Sequence, residues 1–314
     1  MITLIQILFL FAGLVLLVKG ADWFVDGAIG IAERLRIPHM VIGMTVVAAG
    51  TSVPEAAVSI TCARSGKMSM ALGMIIGSNI LNVLFVLGIA AMLGTLVVQT
   101  STVRYEIPFL IFMTGVFLFL GYQGKELSRT AGVILLAAFV LYIAYLVYRA
   151  KKDGNDVEFS QPESNSGLRH ILFSCGGIIF ILAGSQMMES AAEIIAKDLN
   201  LDSHLIALTV VAMATSLPEL FTTSMAVKRG RTEMAIGNVV GSNLFNLLAV
   251  MGGTSLFVPI RFESFFVTDA LVALGACVLL WIFLLPKKKL HFQEGAVMLL
   301  CYVAYAIFRF TGTI

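Results

Sequence analysis

The sequence predicts an all-α integral membrane protein whose ten transmembrane helices form two inverted five-helix repeats. Three observations carry that reading. The 314 residues are 59% hydrophobic and only 13% charged, with a mean hydropathy of +0.95, whereas a soluble domain carries about 25% charged residues. The chain divides into apolar stretches of about 20 residues, the length that crosses a bilayer. A polar motif in one of these stretches returns in another at a fixed offset. The first observation alone excludes soluble enzymes, nucleic-acid binders and secreted scaffolds. The net charge of +2 points to no anionic partner. Cys62, Cys175, Cys277 and Cys301 lie far apart with no CxxC pair, so they suggest neither a disulfide framework nor a zinc site.

Taken in chain order, the predicted spans are 2–30, 39–63, 68–93, 104–122, 129–149, 169–196, 204–227, 233–258, 264–285 and 291–310. The first has no early Lys or Arg and no clear cleavage site, so it reads as a span rather than a signal peptide. The first and sixth are long and polar in their second halves. Most links are a few residues, but 150–168 is polar and without apolar period, a linker between halves 1–149 and 169–314. Thirteen Lys and Arg fall in the links on one side and seven on the other. The positive-inside rule makes the richer side cytoplasmic, with the linker there and both termini outside a plasma membrane.

TVVAAGTSVPE (45–55) returns as TVVAMATSLPE (209–219), and GSNILN (77–82) as GSNLFN (241–246). Between 45–83 and 209–247, 16 of 39 positions are identical without a gap. Chance likeness between apolar helices would repeat Leu, Val and Ala, not Thr, Ser, Pro, Glu and Asn in register. Five spans separate the copies, so the second enters the membrane from the opposite face, which is the inverted repeat of secondary transporters. A site is then expected where the two motifs meet near the midplane.

Glu55 and Glu219 carry the chemistry. An intramembrane charge costs about 2.5–3.5 kcal/mol on insertion scales, and no Lys or Arg lies within helical reach on either span. Two adjacent carboxylates must be neutralised by a cation or by protons. Thr51 and Ser52 share a helix face with Glu55, as Thr215 and Ser216 do with Glu219. Pro54 and Pro218 remove hydrogen bonds to the carbonyls of Gly50 and Ala214, loosening backbone oxygens over about 48–51 and 212–215. Ser78 with Asn82, and Ser242 with Asn246, add hydroxyl and amide oxygens at i, i+4. The repeated Gly73-x-x-x-Gly77 and Gly237-x-x-x-Gly241 read as close helix packing. Asn79 and Asn243 read equally as interhelical glue or as ligands. Two carboxylates with many neutral oxygens, and no Cys or His, select Ca²⁺ or Na⁺ over zinc or copper. No Walker A loop and no HExxH motif is present, and no nucleophile–base pair suggests an enzyme. Asp22 and Asp26 share a face of the first span and read as an interfacial helix end or a cation-attracting vestibule.

At GTSVPE with GSNILN, and ATSLPE with GSNLFN, the chain resembles the sodium/calcium exchanger branch of the cation/calcium antiporter superfamily, and its short linker resembles prokaryotic members. The resemblance implies Na⁺-driven Ca²⁺ export by alternating access, the first and sixth helices sliding over the other eight. It implies that Glu55, Glu219 and the carbonyls of Thr51 and Thr215 hold Ca²⁺. Ser52, Ser78, Ser216, Ser242 and the carbonyls of Ala48 and Ala212 would help bind Na⁺, with Asn82 and Asn246 lining the middle. Some members carry Asp where this chain has Asn246, which argues against K⁺ co-transport. A Ca²⁺/H⁺ antiporter is the alternative within the superfamily and a cation channel the alternative outside it. No cofactor, nucleic acid or protein partner is suggested beyond the ions and the lipid bilayer.

Overall fold

The computed structural model describes residues 4–153, 167–198 and 212–311. Most of the linker 150–168, the start of the span at 204–227, His204, and Thr209 to Val211 of the second motif lie outside the described residues. Helix α1 (Leu4–Leu35) is followed by α2 (39–51) and α3 (Val53–Arg64), then by α4 (Met68–Leu93), α5 (Thr102–Gly124) and α6 (Arg129–Asp153). After the linker come α7 (Gly167–Asp198), α8 (Ala212–Thr215), α9 (Leu217–Lys228), α10 (Thr232–Phe257), α11 (Ser264–Lys287) and α12 (Phe292–Thr311). Among the described residues, seven helices are long and apolar enough to cross a membrane, or eight if the bent pair α2–α3 counts as one. The two further spans read from the sequence fall on α8–α9, which residues 199–211 precede, and on α12.

The chain is thus a multi-pass, nearly all-helical membrane protein. Among the described residues the strands are two antiparallel pairings of two residues each, which the sequence reading did not foresee: β1 (Leu96–Val97) with β4 (Lys289–Leu290), and β2 (Glu126–Leu127) with β3 (Ile260–Arg261). They satisfy backbone groups in the short links, where helix geometry has ended. Gly66 and Gly230 end corresponding helices at φ +71° and +70°, a left-handed conformation that costs glycine nothing.

The centre of the molecule is α4 and α10. Their most apolar windows are 83% and 89% buried, against 28% for α1, α6 and α7. Since lipid is as apolar as leucine, burial there comes from close packing rather than exclusion from water. Gly237 and Gly241 show how: a Cβ on either would stand 2.6 Å from the carbonyl oxygen of Met40 or Met44 on α2. The predicted packing role holds for these two glycines but not for Gly77 of the first copy, where a Cβ would meet nothing within 4 Å.

The outer pair α1 and α7 packs along much of its length. Gly13, Gly20 and Gly27 recur every seven residues on α1 and meet α7 around Gly184, Gly177 and Ser174. A Cβ at Gly20 would lie 2.8 Å from the Gly177 carbonyl oxygen, and one at Gly177 would lie 2.7 Å from the Gly20 carbonyl oxygen. Backbone meets backbone, so no flexible side chain can yield. Gly177→Ala should lower the melting temperature in detergent, at an overpacking cost of about 1–3 kcal/mol. Gly115→Ala, where a Cβ meets nothing within 4 Å, should lower it not at all. Equal melting curves for the two variants would dissolve the seam.

Ion pairs fasten the second half of α1 to the turn after α9. Arg229 reaches Asp22 at 2.5 Å and Asp26 at 3.2 Å, while Arg231 reaches Glu33 at 2.8 Å. Asp22 and Asp26 therefore face a guanidinium rather than only an open vestibule. These side chains are part-exposed, where such pairs contribute little stability each.

Candidate cation site

Proline shapes the two strips of backbone at the site. The chain leaves helical geometry at Ser52 (φ −85°, ψ 11°) and at Ser216 (φ −90°, ψ 3°), each two residues before a proline. Helices α2 and α3 meet there at a bend of 46°. A proline at the second helical position donates no N–H where none would be used, so each break is also a sound start for the next helix. Glu55 and Glu219 then sit in the first turns of α3 and α9.

The two carboxylates are fully buried, as are Thr51, Ser52, Ser78, Asn82, Thr215, Ser242 and Asn246, with Ser216 all but so. The motifs interlock across the halves. Ser52 Oγ donates to Glu219 Oε1 at 3.0 Å, and Ser78 Oγ donates to Glu55 Oε1 at 3.2 Å. Ser78 and Ser216 share a hydrogen bond of 2.9 Å. Ser242 Oγ lies 3.5 Å from both Glu219 Oε1 and the Ala48 carbonyl oxygen. Thr51 Oγ1 lies 3.3 Å from that same carbonyl oxygen and 3.4 Å from Ser242 Oγ. Ala212 begins the turn α8, which ends at the buried Thr215; the Ala212 side chain lies outside the described ones.

Each carboxylate thus has one oxygen restrained by serine. The other oxygen, Oε2 of Glu55 and of Glu219, has no hydrogen-bond partner, and neither have Asn82 Oδ1 and Asn246 Oδ1. These four orphans are all acceptors, all buried and placed at matching positions of the two repeats. Buried polar atoms are rarely left unpaired, and unpaired buried carboxylates are costly. Four acceptors with no donor among them are an arrangement that a bound cation, or protons carried by the two carboxyl groups, would satisfy. Among the described residues, no group of three or more His, Cys, Asp and Glu forms here or elsewhere, so the charge at this site is that of the two glutamates alone.

A crossed pair of asparagines fixes the amides. Asn79 Nδ2 donates to the Asn243 carbonyl oxygen at 3.3 Å, and Asn243 Nδ2 donates to the Asn79 carbonyl oxygen at 3.1 Å. Their side-chain oxygens then face outward from this lock and accept Asn246 Nδ2 at 3.3 Å and Asn82 Nδ2 at 3.1 Å. With its nitrogen so engaged, each outer asparagine presents only oxygen. Asn79 and Asn243, left ambiguous by the sequence, are therefore glue that orients the other two. Both outer asparagines also stand in π turns, Asn82–Val86 and Phe245–Met251, the wide turns that recur at functional sites.

Two contacts have no counterpart in the sequence reading. Ser185 Oγ on α7 donates at 2.9 Å to the Ala214 carbonyl oxygen, the one freed by Pro218. Asn238 Nδ2 donates to Thr222 at 3.1 Å and Thr223 at 2.9 Å, while its oxygen accepts from Thr51 at 3.3 Å. The Asn238 contact was in principle visible as an amide in an apolar helix outside the repeated motif. The Ser185 contact was not, because nothing in sequence links it to a carbonyl 29 residues away.

Fold and site together define a multi-pass membrane protein with a buried, repeat-symmetric set of oxygens suited to a hard cation. The chain belongs to the sodium/calcium exchanger protein family, whose model matches residues 5–148 and 169–311. It is 35% identical to a putative antiporter, CaxA, of Alkalimonas amylolytica over 98% of this chain and 100% of that one. It is 29% identical to the sodium/calcium exchanger MaX1 of Methanosarcina acetivorans over 98% and 99%. Its fold matches a structure of the sodium-calcium exchanger NCX_Mj soaked with Na⁺ and Ca²⁺, at TM-score 0.86 and 28% identity, over 97% of this chain and 98% of that one.

Proposed function

We propose that this protein is a secondary active antiporter that exchanges Na⁺ for Ca²⁺ across the plasma membrane by alternating access. The observation that carries the reading is the set of four orphaned acceptors, Glu55 Oε2, Glu219 Oε2, Asn82 Oδ1 and Asn246 Oδ1. Two carboxylates balance one Ca²⁺, a cation that takes six to eight oxygens. The carbonyls of Thr51 and Thr215 complete the Ca²⁺ shell. Ser52, Ser78, Ser216, Ser242 and the carbonyls of Ala48 and Ala212 divide among Na⁺ positions around the same two carboxylates. Because the glutamates are shared, Na⁺ and Ca²⁺ exclude one another, and exclusion couples their fluxes.

In this reading α2 with α3, and α8 with α9, are each one bent span, so that ten spans form two inverted halves, 1–149 and 169–314. The linker 150–168 is cytoplasmic and both termini are outside. The in-register repeat supports the inversion, and the excess of Lys and Arg supports the sidedness.

Proteoliposomes loaded with Na⁺ should take up ⁴⁵Ca²⁺ on dilution into Na⁺-free buffer, and external Na⁺ should stop the uptake. Uptake that follows only a pH gradient would assign the protein to proton-coupled exchange. Flux that follows voltage without any counter-ion would make it a channel.

A further inference from the structure

Outside the cation site, the molecule holds a second pair of buried polar groups without partners. Glu106 and Tyr142 are 4% and 3% exposed, and Glu106 Oε2 and the Tyr142 hydroxyl have no hydrogen-bond partner. Both line a cavity of about 290 Å³ between α5 and α6, with Phe109, Leu141 and Tyr145. Arg104 and Tyr105 complete the lining, the Arg104 guanidinium lying 5.8 Å from the Tyr105 ring centre. Tyr105 and Leu141 are 53% and 70% exposed, so the cavity opens where lipid meets the protein.

The second half of the chain supplies an internal control. Glu106 Oε1 accepts from Tyr145 at 2.6 Å and from Arg149 at 3.2 Å. The same triad recurs there: Asp269 accepts from Tyr305 at 3.0 Å and from Arg309 at 2.6 Å, the Tyr and Arg again four residues apart on the half's last helix. In the second triad the two contacts fall on different oxygens, so the carboxylate is complete. In the first they converge on one oxygen and the other has no partner; Glu106 and Tyr142, whose counterpart is Tyr302, both line the cavity.

A carboxylate oxygen needs a donor, and a phenol offers a donor and an acceptor. One hydroxyl group can answer both. Water could do so, but it would occupy about a tenth of the space at ~30 Å³ per molecule, and the remaining wall is apolar and aromatic. An amphiphile fits: its hydroxyl end meets Glu106 and Tyr142 and its chain lies along Phe109 and Leu141. Arg104 at the same cavity adds a positive charge suited to a phosphate.

We propose that this cavity binds a phospholipid whose headgroup carries free hydroxyls, one of them donating to Glu106 Oε2 and accepting from Tyr142, with the lipid phosphate on Arg104. The site is independent of which ions are transported. Native mass spectrometry of the full chain in detergent, titrated with dioleoylphosphatidylglycerol and with dioleoylphosphatidylcholine, tests it. The hydroxylated lipid should bind at least about tenfold more tightly than the choline lipid, which has no headgroup donor. Tyr142→Phe, which keeps the ring and removes only the hydroxyl, should cost about tenfold of that affinity, one buried hydrogen bond's worth. It should leave choline-lipid binding unchanged. Arg104→Gln should weaken binding of the glycerol lipid, and Tyr302→Phe should change neither lipid. Equal affinity for the two lipids would overturn the proposal. So would full affinity in Tyr142→Phe or in Arg104→Gln, or a loss in Tyr302→Phe as large as that in Tyr142→Phe.

Discussion

Glu55→Gln and Glu219→Gln should each reduce Na⁺-dependent Ca²⁺ uptake by more than about a hundredfold. Removing one partner from a buried charge pair costs about 3–5 kcal/mol, and every 1.4 kcal/mol is tenfold. The amide keeps the shape of the carboxylate but halves the negative charge at the site, and it places an N–H₂ donor where a cation needs an acceptor. The folded protein should tolerate the change. Glu55 Oε2 and Glu219 Oε2 have no hydrogen-bond partner in the protein, so neutralising either relieves a buried charge instead of stranding one. Melting temperature should hold or rise while transport disappears, which separates a lost ligand from a lost fold. Ser52→Ala, which removes a neutral donor from Glu219 Oε1, should cost far less, within the ~1–3 kcal/mol of one buried hydrogen bond. Near-normal exchange in either glutamine variant would take the pair out of the mechanism.

The residues of the candidate cation site stood out in the sequence because each is an expense in a membrane helix and each is present twice. Thr-Ser-x-Pro-Glu and Ser-Asn-x-x-Asn stand out against Leu, Val and Ala, and one constant offset ties the copies together. Proline announced the two helix breaks for the same reason. The rest lacked one of those signals. The glycine seam of α1 and α7 is apolar on an apolar background, and its meaning lies in a partner helix that sequence does not name. The acidic–Tyr–Arg triads are duplicated, but their members sit on two different helices, and the acid has changed from Glu106 to Asp269. Arg149 and Arg309 could be read only as markers of sidedness. Short strand pairings such as Leu96–Val97 with Lys289–Leu290 have too few residues to show a period of two.

The crossed asparagines lead to the second large effect. Asn79 and Asn243 hydrogen-bond to no carboxylate, yet they fix which atom of Asn246 and of Asn82 would face a bound cation. In Asn79→Ala the acceptor of Asn246 Nδ2 disappears and so does the donor to the Asn243 carbonyl. The Asn246 amide is then free to turn, and half of its orientations place N–H₂ rather than oxygen toward the ion. Loss of a buried hydrogen bond with an orphaned partner is worth about 1–3 kcal/mol, or about five- to a hundredfold in an equilibrium. That loss should appear as weaker Ca²⁺ affinity, with the maximal rate at saturating Ca²⁺ changed much less. Asn79→Asp retains an acceptor for Asn246 but adds a buried carboxyl group against the Asn243 carbonyl, so it should recover affinity only as the neutral acid, whose hydroxyl can donate to that carbonyl. Asn243→Ala should repeat the pattern through Asn82, because its oxygen holds that amide at 3.1 Å. The decisive measurement is ⁴⁵Ca²⁺ uptake across a range of Ca²⁺ concentrations for all three variants. If Asn79→Ala lowered the maximal rate at unchanged Ca²⁺ affinity, the pair would serve helix packing alone, and the orienting role would be lost with it.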